Sequence, residues 1–296
     1  MSVPTTKIGF IGLGKMGSGI CKNIQKTGAE LIVFNRTKHK TRPFEVLGAN
    51  VANSVKDLVQ QSDLIFSSVL DDEAILDLCD GKNGILNNLT KDKIHVGLTT
   101  IRPDTADKLY KMHQERQTHY IAAPVIGRPD AAEQGEVISF LAGSKNILDT
   151  VLPFIRSYSK HEIWFSEKAG QANAMKICVN YMVMAQLGML GEIFTFADKN
   201  HLDVNQVLAI TQQFFAGNPT MSEYATKIAN RNFEDAGFKL SAGLKDANIF
   251  DSVFTKAGVY PGAIIAAKEN LMQANATGLS DKDWSALTEI TRLKAN

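Results

Sequence analysis

Three glycines, Gly12, Gly14 and Gly17, stand at the spacing G-x-G-x-x-G within KIGFIGLGKMGSGI, residues 7–20. The setting makes that spacing informative. The apolar run KIGFIG before it reads as a strand, and residues 15–27 after it read as a helix. Together they open a strand–helix–strand unit. There Gly12 allows a tight turn, Gly14 lets the backbone approach a pyrophosphate, and Gly17 lets the helix close on the strand. A helix N-terminus adds unbonded amides and a partial positive charge for phosphate. A nucleotide cradle built from Gly12, Leu13, Gly14, Lys15, Met16 and Gly17 is the expectation.

The first half of the chain repeats this alternation. ELIVFN, DLIFSSVL (63–70), KIHVGLTT (93–100), HYIAAPVIG (119–127), VISFLAG (137–143) and EIWFS (162–166) read as strands, with helical patterns such as 103–117 between most of them. The strands are short continuous apolar runs, the pattern of strands covered on both faces. Strand–helix alternation predicts an α/β Rossmann-like doubly wound, mostly parallel sheet. After residue 166 only helical patterns remain: 169–200, 203–216, 220–231, 239–257, 262–276 and 281–294. The expected organisation is a nucleotide-binding domain over 1–165 and an all-α C-terminal domain over 166–296.

A net charge of +1 gives no basic excess for nucleic acid or an anionic membrane. Cys21, Cys79 and Cys178 are odd in number and widely spaced, which suits a reducing cytoplasm, and Cys178 reads as a core residue. The histidines show no metal-ligand spacing, so no metal is expected. The N-terminus lacks the pattern of a secretory signal. The uncharged run between Lys176 and Glu192 falls short of the ~18 apolar residues of a membrane span.

The second strand selects the nucleotide. NAD sites carry an acidic residue there for the ribose 2′-hydroxyl. Here the strand runs into Asn35-Arg36-Thr37, and no Asp or Glu occurs between Leu31 and Phe44. Arg36 can fork onto a 2′-phosphate that a carboxylate would repel. NADP is therefore expected over NAD.

At this point the chain resembles the β-hydroxyacid dehydrogenase family, which includes 3-hydroxyisobutyrate dehydrogenase and glyoxylate/succinic semialdehyde reductase. After the glycine loop, GLTTIRP (97–103) is similar to the family's D-x-S-T-V-x-P, with Gly97 in place of the acid. APVIGRPDAAEQGEVISFLAG (123–143) is similar to A-P-V-S-G-G-x-x-x-A-x-x-G, with Ile126 for the substrate-binding serine and Arg128 for the second glycine. GQANAMKICVN (170–180) is similar to G-x-G-x-x-x-K-x-x-x-N. FKLSAGLKD (238–246) and GLSDKDWSAL (278–287) follow in the family's order.

The resemblance implies hydride transfer between a nicotinamide and a small carboxylate-bearing β-hydroxyacid or its semialdehyde. It makes Lys176 the general acid/base and Asn180 its partner, one helical turn on and on the same face. A free lysine, with pKa ~10.4, is a poor base at pH 7, so burial and positive neighbours such as Lys245 or Arg128 would have to lower it. The resemblance also implies cofactor contacts from Val69, Leu70, Thr99 and Lys245. Substrate contacts are implied from Thr99, Ile126, Gly127, Arg128, Lys176, Asn180, Phe238 and Asp246. It further implies a homodimer or homotetramer formed through the helical domain. Two other readings stand beside it: an imine reductase-like enzyme, against which Lys176 speaks, and a non-catalytic NADP-binding module, against which Lys176, Asn180 and Lys245 speak together.

Overall fold

The computed structural model describes residues 6–91 and 93–295. The chain forms two compact units that part between Lys176 and Ile177. The first begins with β1 (Lys7–Ile11), α1 (Lys15–Gln25), β2 (Glu30–Phe34), α2 (Arg42–Val46), β3 (Asn50–Val51) and α3 (Val55–Gln61). It continues with β4 (Leu64–Ser67), α4 (Asp72–Cys79), α5 (Ile85–Asn88), β5 (Ile94–Gly97) and α6 (Pro103–Gln114). β6 (His119–Ala122), β7 (Val125–Ile126), α7 (Pro129–Gln134), β8 (Val137–Gly143), α8 (Leu148–Tyr158) and β9 (Ser159–Trp164) complete it.

The sheet runs β3-β2-β1-β4-β5-β6-β8-β7, with β9 paired to β8. Pairing is parallel from β3 through β6. β8 is antiparallel to β6 and β7. The chain goes outward from β1 on one side and returns on the other at β4. The C-terminal ends of β1 and β4 therefore form the switch point where open α/β sheets take their ligands.

The expected strand over 119–127 is two strands, because Pro124 has no amide hydrogen to give a ladder. β3 has no apolar run to announce it: both of its residues are exposed. Apolar side chains of β1, β4 and β5 fill a core with Ile20 and Ile24 of α1 and Tyr158 of α8. Phe10 stacks on Phe66 at 6.2 Å, and Tyr158 meets Phe66 edge-on. Each such buried side chain contributes roughly 1.5–3 kcal/mol by burial.

The boundary at residue 165 read from the sequence falls short of the one observed, because the first turns of α9 (Gly170–Lys199) are bonded into the first unit. The Gly170 amide donates to Asp107 Oδ1 at 2.8 Å, and the Ile101 amide donates to Asn173 Oδ1 at 3.0 Å. The rest of α9 joins α10 (Val204–Phe214), α11 (Pro219–Ala229), α12 (Leu240–Lys256), α13 (Ile265–Ala276) and α14 (Leu287–Lys294).

By length and composition α9 is apolar enough to cross a membrane. Its Ile177, Met184, Leu187, Leu190 and Phe194 are taken up in the helical core. In that core Trp284 donates from Nε1 to the Tyr224 hydroxyl at 2.7 Å, so the indole is both packed and satisfied. Cys178 is exposed rather than part of the core.

Candidate active site

The glycine loop follows β1 directly, and each glycine has its own reason. Gly12 has φ +97°, and a Cβ there would lie 2.0 Å from the Ser68 carbonyl oxygen, so only glycine fits. A Cβ on Gly17 would strike the Gly12 carbonyl oxygen at 2.1 Å, so the helix sits on the turn itself. Gly14 is the N-cap of α1, and a Cβ added there would meet nothing within 4 Å. Packing does not require glycine at Gly14. The open volume lies in front of the first amides of α1, where a diphosphate is held in sites of this kind. The first turn of α1 carries no acidic residue to oppose an anion.

Asn35 at the end of β2 serves the loop directly. The Leu13 amide donates to its Oδ1 at 2.8 Å, and its Nδ2 donates to the Thr37 carbonyl at 3.0 Å. It thus shapes the loop from behind. Arg36 and Thr37 beside it are exposed, and Lys15 is exposed at the head of α1. The residues present therefore fit a dinucleotide: an open cradle, a pre-shaped loop and an uncontested cation at the second strand.

Across the switch point the Val69 amide donates to Thr99 Oγ1 at 3.1 Å, which joins the turn after β4 to the turn after β5. Leu70 stands exposed beside it. The turn from Thr99 to Arg102 is fixed at two further points. Asp72 accepts from the Arg102 amide at 2.9 Å, and Asn173 accepts from the Ile101 amide. Lys176, three residues after Asn173 on α9, is only 8% exposed. Ile126 is paired to Ile138 in the β7–β8 ladder. Gly127 is exposed, and Arg128 caps α7 with its side chain largely buried, 4.0 Å from Asp130. Asn173 and Asp72 went unmarked in the sequence reading. Their partners lie far away in the chain: Asp72 sits among the acidic residues that open α4, and Asn173 in the first turns of α9, with no local signal of the amides they hold.

In the helical unit Asp246 is 1% exposed and holds two expected site residues. Asn180 donates from Nδ2 to its Oδ2 at 2.8 Å, and Lys245 Nζ lies 2.8 Å from its Oδ1. Asp246 thus positions its neighbours: Oδ2 takes the Asn180 hydrogen bond, and Oδ1 lies beside the Lys245 ammonium. A carboxylate only accepts, so it fixes the Asn180 amide with Oδ1 turned away from it. It also neutralises Lys245. Phe238 meets Trp284 edge-on at 4.9 Å. No group of three or more His, Cys, Asp or Glu able to hold a metal occurs among the described residues.

Beneath the strand ends lies a buried polar chain. Ser67 Oγ is 2.8 Å from His95 Nε2, His95 Nδ1 is 3.2 Å from His113 Nε2, and His113 Nδ1 is 2.7 Å from the Leu109 carbonyl oxygen. The Leu109 oxygen can only accept, so the hydrogen lies on His113 Nδ1. Each later link then follows: His95 donates from Nδ1, and Ser67 donates to His95 Nε2. Burial, then repulsion from His113, holds the His95 pKa well below its ordinary value. Burial lowers His113 to about 4.

Residues 7–179 match the NAD binding domain of 6-phosphogluconate dehydrogenase, and residues 170–291 match the NAD-binding domain of NADP-dependent 3-hydroxyisobutyrate dehydrogenase. The uncharacterized oxidoreductase YfjR of Bacillus subtilis (strain 168) is 34% identical over 281 residues, 95% of this chain and 98% of that protein. The chloroplastic glyoxylate/succinic semialdehyde reductase 2 of Arabidopsis thaliana is 29% identical over 96% of this chain and 79% of its own length. Psf3, solved in complex with NADP+ and 2-OPP, has the same fold, with a TM-score of 0.85 at 22% identity over 96% of this chain and 99% of Psf3.

Proposed function

Because the chain belongs to the NAD(P)-dependent β-hydroxyacid dehydrogenase family, we propose that it interconverts a small carboxylate-bearing β-hydroxyacid and its semialdehyde, with NADP preferred over NAD and Lys176 as the general acid/base. The observation that carries the reading is that the first unit holds both an open glycine cradle at the head of α1 and the buried Lys176. A nicotinamide, when bound, supplies or accepts the hydride. The amides at the head of α1 hold its diphosphate, and Arg36 forks onto the 2′-phosphate. Lys176 Nζ takes the hydroxyl proton in oxidation and returns it to the carbonyl oxygen in reduction. Asn180 offers Oδ1 as an acceptor in the same exchange. Ile126 has no polar side chain for a substrate carboxylate, so the Gly127–Arg128 amides and the Arg128 guanidinium clamp it. That clamp also suits a longer or dianionic acid.

The printed activity of the Arabidopsis relative supports the semialdehyde class. NADP in the Psf3 structure and the absence of an acid beside Arg36 support the choice of cofactor. The unpaired cysteines agree with a cytoplasmic setting. Phe196, Ile210 and Phe214, each more than two-thirds exposed on α9 and α10, support a homo-oligomer formed through the helical unit.

The test follows NADPH absorbance against glyoxylate, succinic semialdehyde, methylmalonate semialdehyde and tartronate semialdehyde, with NADH as control. Turnover with NADPH that Lys176→Ala abolishes, while NADPH binding persists, supports the assignment. Full activity in Lys176→Ala refutes it. An unchanged KM for every carboxylate substrate in Arg128→Ala refutes the clamp.

A further inference from the structure

We infer that Asn173 is a positioning residue for this reaction: it locks the turn carrying Thr99 to the helical turn carrying Lys176. The inference rests on the proposed role of Lys176. Asn173 is fully buried, and its Oδ1 accepts from the Ile101 amide at 3.0 Å, two residues beyond Thr99. Lys176 follows one turn later on the same helix, so the two share a face.

The bond does not act alone. Thr99 Oγ1 accepts from the Val69 amide, and the Gly170 amide is held by Asp107 at the start of the same helix. A Cβ on Gly170 would lie 2.7 Å from the Pro103 carbonyl oxygen, so α9 begins against the head of α6, directly after the turn. Asp72 holds the Arg102 amide of this turn from α4, and Asn173 holds the Ile101 amide from α9, the helix that carries Lys176. Its Nδ2 is buried with no hydrogen-bond partner among the described residues. A buried unmet donor is costly and needs a reason to persist. An amide kept at that cost for one backbone bond points to geometry: a general acid/base works only if its nitrogen stays within hydrogen-bond reach of the oxygen whose proton it exchanges.

Two substitutions test this in the full-length enzyme. Asn173→Leu keeps the volume and removes the acceptor. Asn173→Asp keeps the acceptor and brings a carboxylate one helical turn from Lys176. The expected result for Asn173→Leu is a kcat lower by about 10- to 100-fold with little change in KM for NADPH. Asn173→Asp recovers most of that kcat and moves the pH-rate limb assigned to Lys176 upward, because a nearby negative charge favours the ammonium. A purely structural role would lower thermal stability and leave kcat of the folded enzyme unchanged. Should Asn173→Leu fail to fold, Asn173→Ala, which also removes the acceptor, is read for the same loss of kcat, and a wild-type kcat there overturns the inference. Wild-type kcat in Asn173→Leu, or an Asn173→Asp profile that does not move, overturns the inference. A wild type without turnover, or a fully active Lys176→Ala, overturns the functional reading beneath it and this assignment with it. An inactive Lys176→Ala beside an unaffected Asn173→Leu overturns this inference alone.

Discussion

Acidification from pH 7.5 to 5.0 destabilises the first unit through His95 and His113, and the size of the loss follows from their burial. Both rings are 0% exposed, Tyr120 packs on both, and every ring nitrogen is committed in a neutral chain. Their folded pKa values lie below the unfolded value of about 6.5. The unfolded chain therefore binds protons that the fold refuses, so stability rises with pH in this window. The contribution is complete above about pH 6.5 and is lost as pH falls toward about 4, where His113 itself accepts a proton. Between pH 7.5 and 5.0 the neutral-locked His113 imidazole costs about 2 kcal/mol, and His95 adds a loss of the same sign.

The assay is urea denaturation at both pH values in a Trp284→Phe background. Trp164, packed on the first unit's core, is then the only tryptophan. The comparison is with His113→Gln, whose amide can still donate to Leu109 and accept from His95. Titrations elsewhere cancel between the two proteins. The reference should lose about 2 kcal/mol more than His113→Gln on acidification. Equal losses in the two proteins would refute the reasoning.

Three further outcomes are expected. Gly14→Ala should leave thermal stability near wild type, because the added Cβ meets nothing within 4 Å, yet weaken NADPH binding measured by fluorescence titration. Gly12→Ala should destabilise the protein by about 1–3 kcal/mol or more, measured by urea denaturation, because it joins a positive φ to a clash with Ser68. Arg36→Ala should weaken NADPH by about 10- to 100-fold and leave NADH unchanged, as loss of a charge-assisted bond worth about 1.5–3 kcal/mol requires.

The features legible in the sequence are those whose cause is local. A glycine that must avoid a neighbouring carbonyl, a buried strand written as a continuous apolar run, and a proline at N1 of α6 or α7 all appear within a few residues. β3 escaped because its two exposed residues carry no pattern. That the first turns of α9 go with the first unit is not legible, because it rests on bonds from Gly170 and Asn173 to residues more than sixty positions earlier. Cys178 was read as core from apolar neighbours, but a helix turns about 100° per residue, and it faces out. The candidate catalytic types, Lys176, Asn180 and Lys245, were visible as a spaced pattern. Asp246 as the common holder of Asn180 and Lys245 was not, since no spacing rule links α9 to α12.

The Asn35 side chain gives the proposed coenzyme preference and the shape of the glycine loop one residue in common. The residue at which related sites distinguish the two nicotinamide dinucleotides is here also the one on which the Leu13 amide and the Thr37 carbonyl converge. An Asn35→Asp exchange toward NAD would keep an acceptor for Leu13 but set a carboxylate oxygen against the Thr37 carbonyl, disturbing the strand end that carries Arg36. A lineage, or an engineer, wishing to change the coenzyme would have to remodel residues 35–37 together.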